Sequence, residues 1–283
     1  MIERAIAFGS HGGLVGIMAE PVPARPGTPV FLFWNVGIQH RIGPYRIQVD
    51  LARELARRGF ASLRFDLSGM GDSEVRQDAQ VDQQRALGDA REAMAWLEKR
   101  LGARTFVPIG FCSSVDSAHV LSVQDARVVG ACFLEGYAYR TPGFWLRYPG
   151  RLLDRHRWRR YVTARLDVRA GRVPVDPRAE ERALMGSIFA RKYPSPAQFA
   201  ADVRALVTRG VRTLFVYFGG DTDFNHHGQF REMVRARYDR AVVDVAFYAE
   251  ADHTLFRVED RERVVRRVVQ WASRSFGETP VSR

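Results

Sequence analysis

Hydrophobic residues along this chain alternate between short, mostly apolar runs and stripes at helical spacing. Such runs are typical of strands that are buried on both faces of a sheet. They occupy residues 29–34, 61–67, 105–111, 128–134, 213–218 and 242–248. Between them, apolar residues recur on one helical face, as in residues 82–101. Strands that alternate with helices predict a mostly parallel sheet with helices on both sides.

Two departures from this alternation complete the predicted organisation. Residues 3–8 and 14–18 flank the short turn sequence SHGG, which predicts an N-terminal antiparallel hairpin. Residues 138–194 are rich in arginine and aromatic residues and show no strand pattern. We therefore predict an α/β core formed by residues 1–137 and 195–283, with a helical cap inserted at 138–194. Further helices are predicted at 47–59, 199–207, 229–239 and 261–273.

The composition is that of an ordinary soluble globular protein. Of the 283 residues, 46% are hydrophobic and 27% are charged, which provides enough apolar material to bury a sizeable core. The longest apolar runs fall far short of the roughly 20 residues that a membrane-spanning helix needs. The first residues, MIERAIAFGS, include an acidic residue and lack the basic-then-apolar pattern of a secretory signal. We therefore expect a cytoplasmic protein.

The formal net charge of +11 raises the question of nucleic-acid binding. Only two of the 43 basic residues are lysines, Lys99 and Lys192, and the arginines are spread over most of the chain. This distribution indicates a compositional preference for arginine, so we predict no nucleic-acid partner. The two cysteines, Cys112 and Cys132, form neither a disulfide framework nor a CxxC metal pair. Because glycine-rich nucleotide motifs are missing as well, the sequence predicts no metal and no organic cofactor.

A candidate nucleophile lies where the run 105–111 meets the following helix. The sequence there is GFCSS, with Cys112 at its centre. Small residues two before and two after a nucleophile let a strand turn sharply into a helix, which holds the central side chain strained and exposed. The N-terminus of that helix also favours a thiolate. The alternative is an unreactive cysteine buried in the core.

A second motif supports the interpretation of Cys112 as a nucleophile. Residues 64–73, RFDLSGMGDS, close the preceding strand. Together with GFCSS, this segment resembles the α/β-hydrolase superfamily, in which D-x-x-G-x-G-x-S follows the fourth strand. The resemblance implies an eight-stranded, mostly parallel sheet flanked by helices, an inserted helical cap and a structural role for Asp66. With residues 35–46 and the sequence ADHT at 251–254, the chain is more narrowly similar to bacterial exosortase A system-associated and serine aminopeptidase-like hydrolases.

The superfamily resemblance implies a catalytic triad in the order nucleophile, acid, histidine. His253 lies just after the last strand, where the superfamily places its base. The acid is expected after the run 213–218, where counting from the strand end favours Asp221 and the local pattern makes Asp223 the alternative. This acid would accept the second ring N–H of His253 and fix the tautomer of the imidazole.

The other histidines are weaker candidates for a role in the chemistry. His226 and His227 lie on a predicted loop near the expected acid, where they either line the pocket or face solvent. His119 and His156 are interpreted as helix residues. His253 is therefore the predicted base.

An oxyanion intermediate needs two hydrogen-bond donors that point at the developing charge. One would be the backbone N–H of Ser113, directly after the nucleophile. By resemblance to the superfamily, the other would be the N–H of Val36, in the Asn-Val-Gly segment after the run 29–34. Further along this loop, His40 and Arg41 either contact substrate or support the loop.

These residues predict a hydrolase in which Cys112, His253 and Asp221 cleave an ester or thioester through an acyl-cysteine intermediate. Amides are a less favoured substrate, because a thiol leaves a tetrahedral intermediate readily and therefore suits activated acyl donors. Two alternatives stay open. One is an acyltransferase that passes the acyl group from Cys112 to an amine or alcohol, and the other is a non-catalytic, ligand-binding homologue.

The predicted cap is the most basic aromatic part of the chain. Over residues 144–161, aromatic residues are interleaved with arginines. This segment could guide an anionic or lipid-like substrate, an acidic carrier protein or a membrane surface. Helices that pack aromatic residues inward and arginines outward explain it equally well. The expected partner is a small-molecule or carrier-bound acyl substrate, and the oligomeric state is not predicted.

Overall fold

The chain folds around a single β-sheet. Its structure is a computed structural model, which describes residues 1–9, 12–76, 82–152, 166, 191, 193–219, 223–236 and 238–277. In chain order its strands are β1 (Ile2–Phe8), β2 (Leu14–Glu20), β3 (Val30–Phe33), β4 (Ser62–Phe65), β5 (Phe106–Phe111), β6 (Gly130–Leu134), β7 (Arg212–Phe218) and β8 (Val243–Tyr248). They form one eight-stranded sheet in the order β1-β2-β4-β3-β5-β6-β7-β8. The β1–β2 and β2–β4 pairings are antiparallel and the remaining pairings are parallel. The predicted mostly parallel sheet is confirmed.

Helices cover both faces of this sheet. They are α1 (Ile47–Arg57), α2 (Asp82–Leu101), α3 (Ser114–Gln124), α4 (Pro142–Leu152), α5 (Pro196–Thr208), α6 (Gln229–Val234) and α7 (Val258–Phe276), with a 3₁₀ turn at Pro44–Arg46. One hydrophobic cluster contains side chains of α2, α3, α5 and α6, such as Leu97 and Phe199. The opposite cluster contains side chains of α1 and α7, such as Leu51 and Trp271. The sheet therefore lies between two helical layers, as the alternating pattern predicts.

The central strands are buried on both faces, which explains their continuous apolar sequences. Every residue of β3, β5 and β6 is buried. In the parallel β5–β6 pair, Phe111 lies beside Leu134. Because these are the last residues of the two strands, Cys112 and Glu135 leave the sheet side by side. The carboxyl ends of parallel strands are where ligands bind in α/β sheets, so this edge positions the site.

Two predicted helices differ most in length from the observed ones. The helix expected at 229–239 is only Gln229–Val234. It ends there because Arg235 adopts a left-handed backbone conformation, with φ of 49°. The helix expected at 261–273 is longer, covering Val258–Phe276.

The predicted cap lies largely outside the described residues. Within 138–194, the structure describes α4 and a few residues near the end of the segment, including Arg191. The boundaries of the cap and its helical character therefore remain predictions. None of the helices in the described ranges combines the length and the apolar character that crossing a membrane requires.

Candidate active site

The chain turns sharply at Cys112, between β5 and α3. Cys112 has a φ of 51°, a left-handed conformation that strains a residue with a side chain. Its N–H donates to the Leu134 carbonyl on β6 at 2.9 Å, and its own carbonyl accepts from Val115 N–H at 3.0 Å. The thiol is partly exposed. The structure thus shows the strand-to-helix turn that GFCSS predicts.

Two small residues make this turn possible. A Cβ at Gly110 would lie 2.7 Å from the Val115 Cα, so only glycine lets helix α3 approach β5 this closely. At the other end of the motif, the Ser114 hydroxyl donates to the Phe111 carbonyl at 2.9 Å and accepts from the Phe111 N–H at 2.8 Å. Ser114 therefore ties the start of α3 to the end of the strand.

His253 lies on the turn between β8 and α7. The turn is held by Asp252, which accepts hydrogen bonds from the Thr254 N–H at 2.7 Å and from the Thr254 hydroxyl at 2.6 Å. A second carboxylate oxygen of Asp252 accepts from the Phe256 N–H at 3.1 Å. The His253 side chain is about half exposed, at 54%. This turn presents the imidazole over the carboxyl edge of the sheet.

The carboxylate that contacts His253 belongs to Glu135. His253 Nδ1–H donates to the Glu135 carboxylate, which is 6% exposed. Glu135 directly follows β6 and has a φ of 57°. The sulfur of Cys112, a carboxylate oxygen of Glu135 and a ring nitrogen of His253 all lie within 4.8 Å of one another. In the described part of the chain, this is the one group of three or more cysteine, histidine and acidic side chains that lie so close together.

The electrostatics of this cluster favour a protonated imidazole. The hydrogen bond to Cys112 and then that to Glu135 raise the pKa of His253 from 6.5 to about 10, against the opposing effect of burial. Nδ1 of His253 bonds to Glu135, so Nε2 is the ring nitrogen that can face the sulfur. The structure therefore brings a thiol, an imidazole and a carboxylate together, with the imidazole hydrogen-bonded to the carboxylate.

Of the two acids expected from the sequence, the structure describes only Asp223. Asp221 is outside the described residues. The alternative, Asp223, accepts a hydrogen bond from Arg140 Nε at 2.7 Å. Sequence reasoning missed Glu135, although one signal pointed to it. It is an acidic residue directly after a fully apolar run, 128–134, which forms the strand next to the one that precedes Cys112.

The two segments predicted to supply the oxyanion donors are in contact at the start of α3. The Val36 N–H donates to the Gln39 carbonyl at 3.2 Å, which closes a tight turn after β3. The neighbouring Gly37 N–H donates to the Ser113 hydroxyl at 2.7 Å. The Ser113 N–H lies at the N-terminus of α3, where backbone N–H groups have no acceptor within the helix. The structure thus brings the two predicted segments together.

The RFDLSGMGDS segment holds the loop after β3 through hydrogen bonds to Arg41. Asp66 is fully buried and accepts from the Arg41 guanidinium and from the Arg41 N–H, the latter at 2.7 Å. A second Arg41 nitrogen donates to Asp72 at 2.6 Å. A Cβ at Gly71 would lie 2.2 Å from Asp66 Oδ2, which explains the glycine. Asp66 therefore has the structural role that the resemblance implies, and Arg41 supports the loop.

The remaining histidines that the structure describes make other contacts. His119 is buried on α3, with Nε2 3.0 Å from Asp202. His226 Nε2 lies 3.5 Å from Glu232. His227 packs edge-on against Phe247, with the ring centroids 5.3 Å apart, and His40 is exposed. His11 and His156 lie outside the described residues.

The second thiol has a different environment. Cys132 is fully buried within β6. Burial raises the pKa of this thiol far above its ordinary value. Cys132 is therefore a core residue, and Cys112 is the thiol available for chemistry.

Comparison with known proteins identifies the fold. No family model and no curated protein matches the sequence. Among solved structures, the α/β hydrolase GrgF from a Penicillium species has a TM-score of 0.61 at 14% identity, covering 98% of this chain and 100% of its own. An esterase from Pyrococcus furiosus has a TM-score of 0.58 at 14% identity, covering 98% and 91%. A putative dienelactone hydrolase from Klebsiella pneumoniae has a TM-score of 0.57 at 16% identity, covering 96% and 98%. The chain has the α/β-hydrolase fold.

Proposed function

We propose that this protein is a hydrolase that cleaves an ester or thioester through an acyl group bound covalently to Cys112. The observation that carries the proposal is the position of the His253 ring, which contacts the Glu135 carboxylate and lies within 4.8 Å of the Cys112 sulfur. In the proposed triad, Glu135 is the acid in place of Asp221, the residue expected from the sequence. The order nucleophile, acid, histidine along the chain is kept.

In the first half of the reaction, the Cys112 sulfur attacks the carbonyl carbon of the substrate. A C–S bond forms and the carbonyl electron pair moves to the oxygen, giving a tetrahedral oxyanion. When this intermediate collapses, the bond to the leaving oxygen or sulfur breaks. The proton on His253 Nε2 passes to the leaving group, while Glu135 keeps the Nδ1 proton in place.

In the second half, water releases the acyl group. His253 Nε2 takes a proton from the water as its oxygen attacks the thioester carbonyl. The C–S bond then breaks, which frees the acid and restores the Cys112 thiolate beside the protonated imidazole. The raised pKa of His253, about 10, keeps this proton on the ring for the leaving group of the next cycle.

Two backbone donors are proposed for the oxyanion. The Ser113 N–H at the start of α3 is the first, and the turn that follows β3 supplies the second. The Val36 N–H would serve only by releasing the Gln39 carbonyl that it now contacts at 3.2 Å. A single donor of this kind contributes about 3–4 kcal/mol to stabilising a transition state.

The class of substrate follows from the nucleophile. An attacking thiolate is readily expelled from the tetrahedral intermediate, so the other substituent must leave at least as easily. Thioesters and activated esters meet this condition, and amides meet it only with prior protonation of the nitrogen. The structural similarity to an esterase and to a putative dienelactone hydrolase supports the same class.

The test is to locate the acyl group. Wild-type protein is mixed with an activated ester, quenched in acid and digested, and the peptides are analysed by mass spectrometry. We expect the acyl group on Cys112, with turnover reduced about 10⁴-fold or more in Cys112→Ala. Cys132→Ala is the matched control and should keep both labelling and turnover.

An acyl group found on another residue, or normal turnover by Cys112→Ala, would overturn the proposal. Addition of amines or alcohols to the same reaction distinguishes hydrolysis from acyl transfer. A hydrolase gives the free acid regardless of the acceptor, whereas a transferase gives the amide or the new ester.

A further inference from the structure

An arginine outside the triad joins two of the elements that carry it. Arg191 lies just before α5, and its side chain is only 14% exposed. Its Nε and Nη2 donate to Asp116 Oδ1 at 3.0 and 2.8 Å. Its Nη1 donates to the backbone carbonyl of Glu135 at 3.1 Å. The guanidinium thus bridges helix α3 and the residue that holds His253.

Both partners are close to the chemistry along the chain. Asp116 lies in the first turn of α3, four residues after Cys112. Glu135 supplies its side chain to His253 and adopts a left-handed backbone conformation, with φ of 57°. A strained residue keeps such a conformation only where its surroundings hold it. The Glu135 N–H donates to the Val216 carbonyl at 2.8 Å, and its carbonyl accepts from Arg191.

Aromatic rings keep the Arg191 guanidinium in place and away from water. Its central carbon lies 5.3 Å from the centre of the Tyr137 ring and 4.8 Å from that of Tyr193. Burial acts to lower the pKa of Arg191, but Asp116 foremost, followed by Tyr193 and Cys112, raises it overall, so the group stays charged. A planar, charged fork with fixed donors restrains two partners more firmly than a lysine would.

We propose that Arg191 is a positioning residue, which clamps the Glu135 backbone to helix α3 and so fixes the Glu135 carboxylate against His253. This inference rests on the proposed function of the same site. Arg191 falls within the predicted cap segment, 138–194. That segment would therefore contribute to the triad through Arg191, in addition to any role in covering substrate.

The test compares Arg191→Met, Arg191→Lys and a control in another part of the same helix layer. Arg209→Met is the control, because Arg209 likewise donates to backbone carbonyls, those of Ser122, Val123 and Asp125 at 2.8–2.9 Å, but at the far end of α3. For each variant, kcat and KM are measured with an activated ester. The ring of His253 is titrated by NMR in histidine-labelled protein.

We expect Arg191→Met to lower kcat by about 10- to 100-fold with little change in KM, because a displaced base costs rate rather than binding. The titration midpoint of His253 should fall from about 10 towards 6.5 as its contact with Glu135 loosens. In Arg191→Lys, kcat and the His253 titration midpoint should both lie between those of wild type and Arg191→Met. Arg209→Met should lose thermal stability and keep kcat and the His253 midpoint.

Unchanged kcat and an unchanged His253 midpoint in Arg191→Met would overturn the inference, and so would equal losses in Arg209→Met. If Arg191→Met does not fold, Arg191→Lys and Asp116→Asn give the same two readouts with smaller changes to the packing. Failure of the proposed function is a separate result, because it appears as normal turnover in Cys112→Ala. The His253 titration still reports on Arg191 in that case.

Discussion

The two cysteines show how one sheet gives the same side chain opposite properties. Cys132 lies inside β6, paired with Ile109 of β5, and is fully buried. Cys112 lies three residues beyond Ile109, where the chain has left the sheet with a left-handed φ and the thiol meets an imidazole. The interior of the strands therefore suppresses ionisation of a thiol, while their carboxyl edge exposes it to a base and a helix N-terminus.

The same contrast applies to the acids. Glu135 at the edge of β6 contacts His253, whereas Asp223, on the loop after β7, pairs with Arg140 on the protein surface. The two side chains differ in exposure, at 6% and 37%. What distinguishes this edge is thus a pair of adjacent strand ends, those of β5 and β6, each followed by a residue with a left-handed backbone conformation.

The largest expected effect comes from exchanging the acid. Glu135→Gln should lower kcat by about 10³- to 10⁴-fold, because an amide cannot stabilise the imidazolium or enforce the Nδ1–H tautomer. Asp223→Asn and Asp221→Asn are the matched controls and should each change kcat by less than about threefold. Steady-state kinetics with an activated ester would check this. A severe loss in either aspartate variant, with Glu135→Gln active, would return the role of the acid to the loop after β7.

A smaller effect, on stability, is expected when a methyl group is added between β5 and α3, next to Cys112. Gly110→Ala places a methyl group 2.7 Å from the Val115 Cα, so we expect the free energy of unfolding to fall by about 1–3 kcal/mol. Gly136→Ala is the control next to the same edge, since its Cβ would meet nothing closer than 3.5 Å. Its expected loss is below about 1 kcal/mol. Urea denaturation measures both, and equal losses would show that α3 does not depend on close contact with β5.

Local sequence was enough to predict the elements whose structure depends on neighbouring residues. The parallel strands follow from short apolar runs and the turn at Cys112 from the pattern GFCSS, while the structural role of Asp66 is implied by the resemblance that RFDLSGMGDS carries. The partner of His253 does not, because several strand ends offer an acid and only folding decides which one reaches the imidazole. Asp221 is favoured by counting from the end of the run 213–218, the place where the resemblance puts the acid.

Arg191 illustrates the same limit. Its partners, Asp116 and the carbonyl of Glu135, are 75 and 56 residues away along the chain. Nothing in the surrounding sequence distinguishes it from the many other arginines. The turn in which Val36 and Gln39 bond to each other could not be predicted either, because it depends on backbone hydrogen bonds that any residue can make.

A smaller effect concerns the pH dependence of stability. The pKa of His253 is raised in the folded state, so its contribution to stability is fully present below about pH 6.5 and is lost as the pH rises through about 10. The free energy of unfolding of wild type should exceed that of His253→Ala most at about pH 6, and the difference should shrink towards pH 10. Urea denaturation across this range measures it. If the difference between wild type and His253→Ala grew as the pH rose, the pKa of His253 would not be raised in the folded state.

If His253 links Cys112 to Glu135, titration of the His253 ring by NMR will show it. Wild type should show a midpoint of about 10, well above the ordinary 6.5. Cys112→Ala and Glu135→Gln should each lower it, because each removes one of the two hydrogen bonds that raise it. A wild-type midpoint near 6.5 that neither substitution moves would show that the three side chains do not act together.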